Sequence, residues 1–313
     1  MKHGSQIVTG DTSARSVTSV IELDAATVLL QWSVGGMLGC WYTTRHREVG
    51  LGYGWLLRGT YVLMAVAAAY IGFASASSSM AETVRDFGAI GVAVAIAAGL
   101  ASSISRRRAG VRGFIDEHDR RSQRVAEMTG IDRQVVERDS KLGVAASGKE
   151  FDPIVDMFPV VIGLIALIAA GVSDGGNDGV AILRTVVGAA FLGFVSDAML
   201  LGHWYLVQPG LPRRHVNDIV RVFLAIWPLE VAVMLIPTGM FSVFSGRVND
   251  GWSGQLGWFW AACAITTGIL GVVTLKALQE RAYSAVMAAT GLMYLAILTA
   301  FGTDLVARAV LAG

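Results

Sequence analysis

This sequence predicts an all-α, polytopic integral membrane protein with about eight transmembrane helices, and three observations carry that reading. The first is composition: over 313 residues, 54% are hydrophobic, 16% are charged and the mean hydropathy is +0.56, where soluble domains average about a quarter charged. The second is that apolar stretches near the length a bilayer requires, about 20 residues, recur along the chain. The third is that Lys and Arg alternate between rich and poor connections, as cytoplasmic and outer loops do.

Residues 1–24 are polar and have no apolar stretch of the kind that marks a cleaved signal peptide, so targeting is expected to reside in the spans themselves. The first three spans are expected near Ala25–Trp41, Tyr61–Ser77 and Ala89–Ser105. Five more follow near Ile154–Val172, Ala181–Val207, Ile219–Phe241, Trp258–Leu275 and Tyr283–Val306. The first is short and the fifth long, which predicts tilt or an interfacial extension of the fifth. The chain thus divides into an outward tail with three spans (1–105), a charged loop (106–150) and five further spans (151–313).

Orientation follows from the connections. One set of alternate loops holds nineteen of the 25 Lys and Arg residues, eleven of them in the charged loop, and the other set holds six. The positive-inside rule therefore puts the rich loops in the cytoplasm and both termini outside, in a multi-pass protein of the cell membrane. The net charge of +1 gives no reason to expect a nucleic-acid partner.

The charged loop, Arg106–Glu150, pairs acids and bases at helical spacing, as in Asp116 with Arg120 and Glu117 with Arg121. It predicts an exposed helical segment able to dock a protein partner. Its "DEHD" run does not predict a metal site, because consecutive residues on a helix point in different directions. The outer "SDGGNDG", Ser173–Gly179, is a single copy of a pattern that binds calcium only in stacked repeats, and it reads as a turn. Cys40 and Cys263 lie within apolar segments with no metal-ligand neighbours and read as small buried residues.

Chemistry is expected where polar groups enter the spans. In "SDAMLLGHWYLVQPGLPRR" the fifth span runs inward, placing His203 about 6 Å and Asp197 about 15 Å from the cytoplasmic surface. Glu230, on the returning sixth span, lies about 17 Å from that surface. Matched depth on consecutive helices predicts that Asp197 and Glu230 form a proton-exchanging pair, since two carboxyls in low dielectric cannot both ionise easily. The alternative is a protonated side chain that serves packing alone.

His203 supports two sharper readings besides an interfacial hydrogen bond. A b-type haem would pair it with His46, or more weakly with His215 or Met199. A quinone headgroup would be held by His203 with Trp204, Tyr205 and Trp227 near the inner surface. Trp204 and Tyr205 also suit an aromatic belt. Helical spacing separates His203 from Asp197, which shares a face with Trp204.

No nucleotide-binding glycine loop, zinc-protease motif or nucleophile elbow occurs at a convincing location, and no internal repeat of the inverted-transporter kind stands out. The leading expectation is a membrane subunit of a respiratory or redox assembly, with a quinone or haem near the cytoplasmic surface and carboxylates exchanging protons. A proton-coupled small-molecule transporter, or a scaffold subunit docking a soluble partner, stays open beside it.

Overall fold

Apolar runs in lipid fold as helices because each backbone N–H and C=O must find its partner within the segment. The computed structural model describes residues 24–75, 79–107, 150–173, 178–208, 211–237, 239–248, 250, 252–280 and 282–311. Every regular element among them is helical: α1 (Ala25–Thr44), α2 (Leu51–Ala74), α3 (Met80–Ser105), a 3-10 turn (Pro153–Asp156) leading into α4 (Met157–Ser173), α5 (Asp178–Val207), α6 (Arg214–Leu235), α7 (Gly239–Phe244), α8 (Gln255–Ala277) and α9 (Tyr283–Leu311). Most of the charged loop, residues 108–149, and the centre of the outer turn, residues 174–177, lie outside the described residues.

Six helices are long and apolar enough to cross a membrane: α2, α3, α4 with its 3-10 turn, α5, α8 and α9. The other two expected spans correspond to α1 and α6. Both have the length, but α1 is rich in Gly, Ser and Thr, and α6 carries Arg214, Asp218, Arg221 and Glu230. Packing explains why α1 can be polar: 14 of its 20 residues are buried, and it contacts α2, α4 and α5. Outward positions on its neighbours are apolar instead, including Leu63 and Tyr70 on α2, Phe158 and Ile165 on α4, and Ile265 and Ile269 on α8. That surface suits lipid, while polar side chains turn inward.

Two starting points differ from the sequence expectation. Helix α2 begins at Leu51 and α3 at Met80, ten and nine residues earlier than the predicted spans. Arg58 and Arg85, which suggested connections, are buried in ion pairs within the helices, at 2% and 5% exposure. The sixth span also ends sooner, because α6 stops at Leu235 and the chain passes Pro237 into short α7.

Local signals set several helix ends. Asp24 caps α1 by accepting from the N–H groups of Ala26 and Thr27, at 3.0 and 3.3 Å, and also meets Arg85 of α3. Ser79 and Glu82 close a reciprocal capping box on α3. At the opposite end of the bundle, Arg47 pairs with Glu150 at 3.3 Å, and Gln208 donates to the Glu48 carbonyl at 3.1 Å while accepting from the N–H of Gly50 at 2.9 Å. These contacts gather the α1–α2 connection, the entry to α4 and the α5–α6 connection at one end, which the charge distribution predicts to be cytoplasmic.

The tightest crossing joins α1 to α5. A Cβ on Gly35 would fall inside the Ala189 carbonyl, and one on Gly193 would fall inside the backbone of Gly35. The two backbones therefore touch directly, as small residues allow between membrane helices.

Candidate functional site

The α1–α5 crossing brings a file of polar side chains into the bundle. At its mouth is a small recess of about 20 Å³, lined by residues including Thr44, Arg47, Gly54, Arg58, Glu150 and Phe151. Arg58 forms its floor. Its Nε and Nη2 donate to the two carboxylate oxygens of Asp156 at 2.7 and 2.6 Å, a bidentate pair almost wholly removed from solvent. The guanidinium also lies over the Phe151 ring, 4.5 Å from its centroid. Gly54 leaves the space the guanidinium occupies.

Deeper in, the Cys40 thiol lies 3.9 Å from an Asp156 oxygen. The next residue group is Asp197 with Tyr61 and Tyr53, all at 1% exposure or less. The Tyr61 hydroxyl donates to Asp197 Oδ1, and Tyr53 donates to the Asp197 carbonyl at 3.4 Å. Asp197 Oδ2 accepts no hydrogen bond and faces Gly39, where a Cβ has no room. Among the described residues Asp197 has no ion-pair partner, unlike Asp156.

Glu230 lies elsewhere. It faces Asp304 of α9, within the field of Arg308 and Arg184. Arg308 Nε donates to Asp304 Oδ1 at 2.9 Å, and Asp304 Oδ1 lies against Gly188 of α5. Gly188 precedes Asp197 by nine residues, so this second group sits about 13 Å along α5 from the first. Val195, Leu192 and Phe191, all at 0% exposure, lie on the intervening turns. The structure thus places Asp197 and Glu230 in separate groups, each with partners the sequence did not indicate.

Nor do the proposed cofactor residues converge. His203 is exposed on α5. Trp204 turns toward α2, lies against Tyr53 with the rings tilted at 56° and centroids 5.9 Å apart, and donates to Gln208 at 3.0 Å. Tyr205 is buried and donates to the Pro212 carbonyl at 2.6 Å. Trp227 crosses to α8 and donates to the Ala264 carbonyl at 2.9 Å. His46 neighbours His215, with ring centroids 6.1 Å apart, and His215 Nε2 is engaged by Glu48 at 2.6 Å. Burial alone would push the Glu48 carboxyl up, but His215 and Arg214 outweigh it and hold it below the usual carboxylate range. No group of three or more His, Cys, Asp or Glu converges as a metal site among the described residues.

The sequence reading did not single out Arg58, Tyr61, Asp156, Gln31, Asp304 or Arg308. One signal was available, because Asp304 and Arg308 stand four apart inside an apolar stretch, where an unpaired charge would be costly. Arg58 and Asp156 are separated by 98 positions, and nothing local announces their pairing. Comparison with family models, curated proteins and solved structures finds no match to this chain.

Proposed function

We propose that this protein is a proton-coupled membrane transporter in which Asp197 is the proton-accepting group. One observation carries the reading: Asp197 is fully buried, accepts from a single described side-chain donor, keeps one oxygen without a hydrogen bond, and terminates a polar file that opens at a recess. A carboxyl group in that setting is held at least cost with a proton on it, because an ionised one would lack a counter-charge in low dielectric. Losing the proton therefore creates a charge the bundle must accommodate by moving or by admitting water. That coupling between protonation and conformation is what proton-driven transport uses.

Asp156 and Cys40 stand between the recess and Asp197 as relay groups. Arg58 neutralises Asp156 when it is ionised and keeps the file from carrying net negative charge. The apolar turns of α5 beyond Asp197 separate this file from the Glu230 group, as a barrier to leakage requires.

The test is reconstitution in liposomes with a pH-step electrophysiological readout against a panel of small solutes. Solute-dependent proton current is expected in the native protein and a loss of at least about tenfold, which is 1.4 kcal/mol, in Asp197→Asn. Unchanged current in Asp197→Asn would overturn the assignment. A redox subunit is the second reading, favoured by His203, which remains exposed on α5 where a quinone headgroup could approach from lipid. A Soret band in the purified protein, or a quinone-dependent signal lost in His203→Ala, would replace the transporter reading with that one.

A further inference from the structure

The Glu230 group is built differently from the Asp197 file, and its loose ends are all of one kind. Gln31 Oε1, both carboxylate oxygens of Glu230 and Asp304 Oδ2 are buried and accept no hydrogen bond. All three residues are at 0% exposure. They come from α1, α6 and α9: Gln31 and Asp304 meet beside Gly188 of α5, and Glu230 lies within hydrogen-bond reach of Asp304. An added Cβ at Gly188 would lie 2.5 Å from Asp304 Oδ1, 2.7 Å from Arg308 Nη2 and 3.0 Å from Gln31 Nε2.

The donors nearby are already engaged. Gln31 Nε2 donates to the Thr185 carbonyl at 2.8 Å, which orients the amide and fixes Oε1 as the atom left over. Arg308 donates to Asp304 Oδ1 and, through Nη2, to the Arg184 carbonyl at 2.7 Å. Arg184 donates to the carbonyls of Val233 and Ile236 at the end of α6, at 3.1 and 2.5 Å. The charge ledger then has Arg308 paired with Asp304, and Arg184 turned to the negative end of α6 while both stay within the field of Glu230. Glu230 accepts from neither.

Four oxygen acceptors without donors, one of them a neutral carboxamide, call for something positive and small. A buried acceptor without a donor is costly to keep, and here four lie on neighbouring side chains. Two arginines in the same field make a divalent ion over-charged for the site. We infer that Gln31, Glu230 and Asp304 form a binding site for a single monovalent positive charge, a proton shared between the carboxyls or a sodium ion held by oxygen ligands. Its role as a coupling site rests on the transporter reading, while its occupancy does not.

The experiment therefore measures binding on the full-length purified protein rather than flux. In the sodium arm, melting temperature is followed against NaCl with choline chloride balancing ionic strength. A ligand that binds only the folded state raises it. In the proton arm, infrared difference spectra across a pH step report a protonated carboxyl band. A sodium-specific stabilisation that disappears in Glu230→Gln and Gln31→Leu but persists in Asp197→Asn assigns the site to sodium. A carboxyl band lost in Glu230→Gln and kept in Asp197→Asn assigns it to a proton. Monodisperse elution and an unchanged melting temperature in choline chloride alone separate loss of the site from misfolding in each variant. Absence of both signals in the native protein overturns the site, whatever Asp197→Asn does to transport.

Discussion

Asp250 isolates what one carboxylate can do outside the membrane. It is 1% exposed and accepts from the backbone N–H groups of Trp252, Gly254 and Leu256, at 2.9, 2.8 and 3.0 Å, tying the loop to the first turn of α8. Burial alone would push its carboxyl up, but these hydrogen bonds outweigh it and set it below the ordinary value of 3.8. The stabilisation is therefore complete above that ordinary value and is lost as pH falls through the lower folded one. Asp250→Ala is expected to cost about 1–2 kcal/mol near neutrality, with the gap in melting temperature closing in acid; a gap independent of pH would contradict the ionised cap. Tyr61→Phe makes a second case, since it removes the described donor to the Asp197 carboxyl. It should impair proton-coupled current far more than Tyr53→Phe, whose hydroxyl reaches only the Asp197 carbonyl. At this scale the sequence disclosed that Asp197 and Glu230 are anomalous, because depth and charge can be read from spacing. It did not disclose their partners, because Tyr61 looks like any aromatic residue in a span and Asp304 lies 74 positions from Glu230. Partnership across helices is a property of packing, which one chain's periodicity does not encode.

Helix α1 is where element-scale chemistry and packing meet. Its "VGGMLG" run, Val34–Gly39, presents Gly35 to the backbone of α5 and Gly39 to the Asp197 carboxyl, so one stretch both sets the helix separation and admits the acid. Gly193→Val should prevent this approach. Overpacking usually costs about 1–3 kcal/mol, and here the obstacle is backbone, which cannot rotate away. We expect loss of monodisperse protein on size exclusion, whereas Gly59→Ala, which meets nothing within 4 Å, should behave as native. Equal behaviour of the two variants would mean the crossing is looser than described. The apolar helices were legible because lipid demands runs of about 20 residues. Their N-terminal extensions were not, since Arg58 and Arg85 look like loop residues until their carboxylate partners are known.

For the molecule as a whole, orientation remains an expectation from the distribution of Lys and Arg between the connections. Arg58, Arg85, Arg184 and Arg308 entered the loop tally, but all four lie inside helices and engage carboxylates or carbonyls. Arg214 and Arg221 of α6 likewise pair with Glu48 and Asp218, so removing these two and Arg58 from the nineteen and the other three from the six leaves sixteen against three, a stronger bias in the same direction. An impermeant thiol reagent on intact cells should therefore modify Asn177→Cys and spare Ser122→Cys; the reverse pattern would invert the protein. The central placement of α1 bears on how the chain is made. Helix α2 can pack on α1 as soon as both are made, but α5, the partner that covers Gln31 and Gly35, emerges more than 130 residues later, so until then that face of α1 has no helix against it. Its final seating must wait for the second half of the chain, so in protein truncated after α3, which α2 and α3 still anchor, limited proteolysis should cut within α1 faster than in the full chain, and co-expression of residues 151–313 should restore protection.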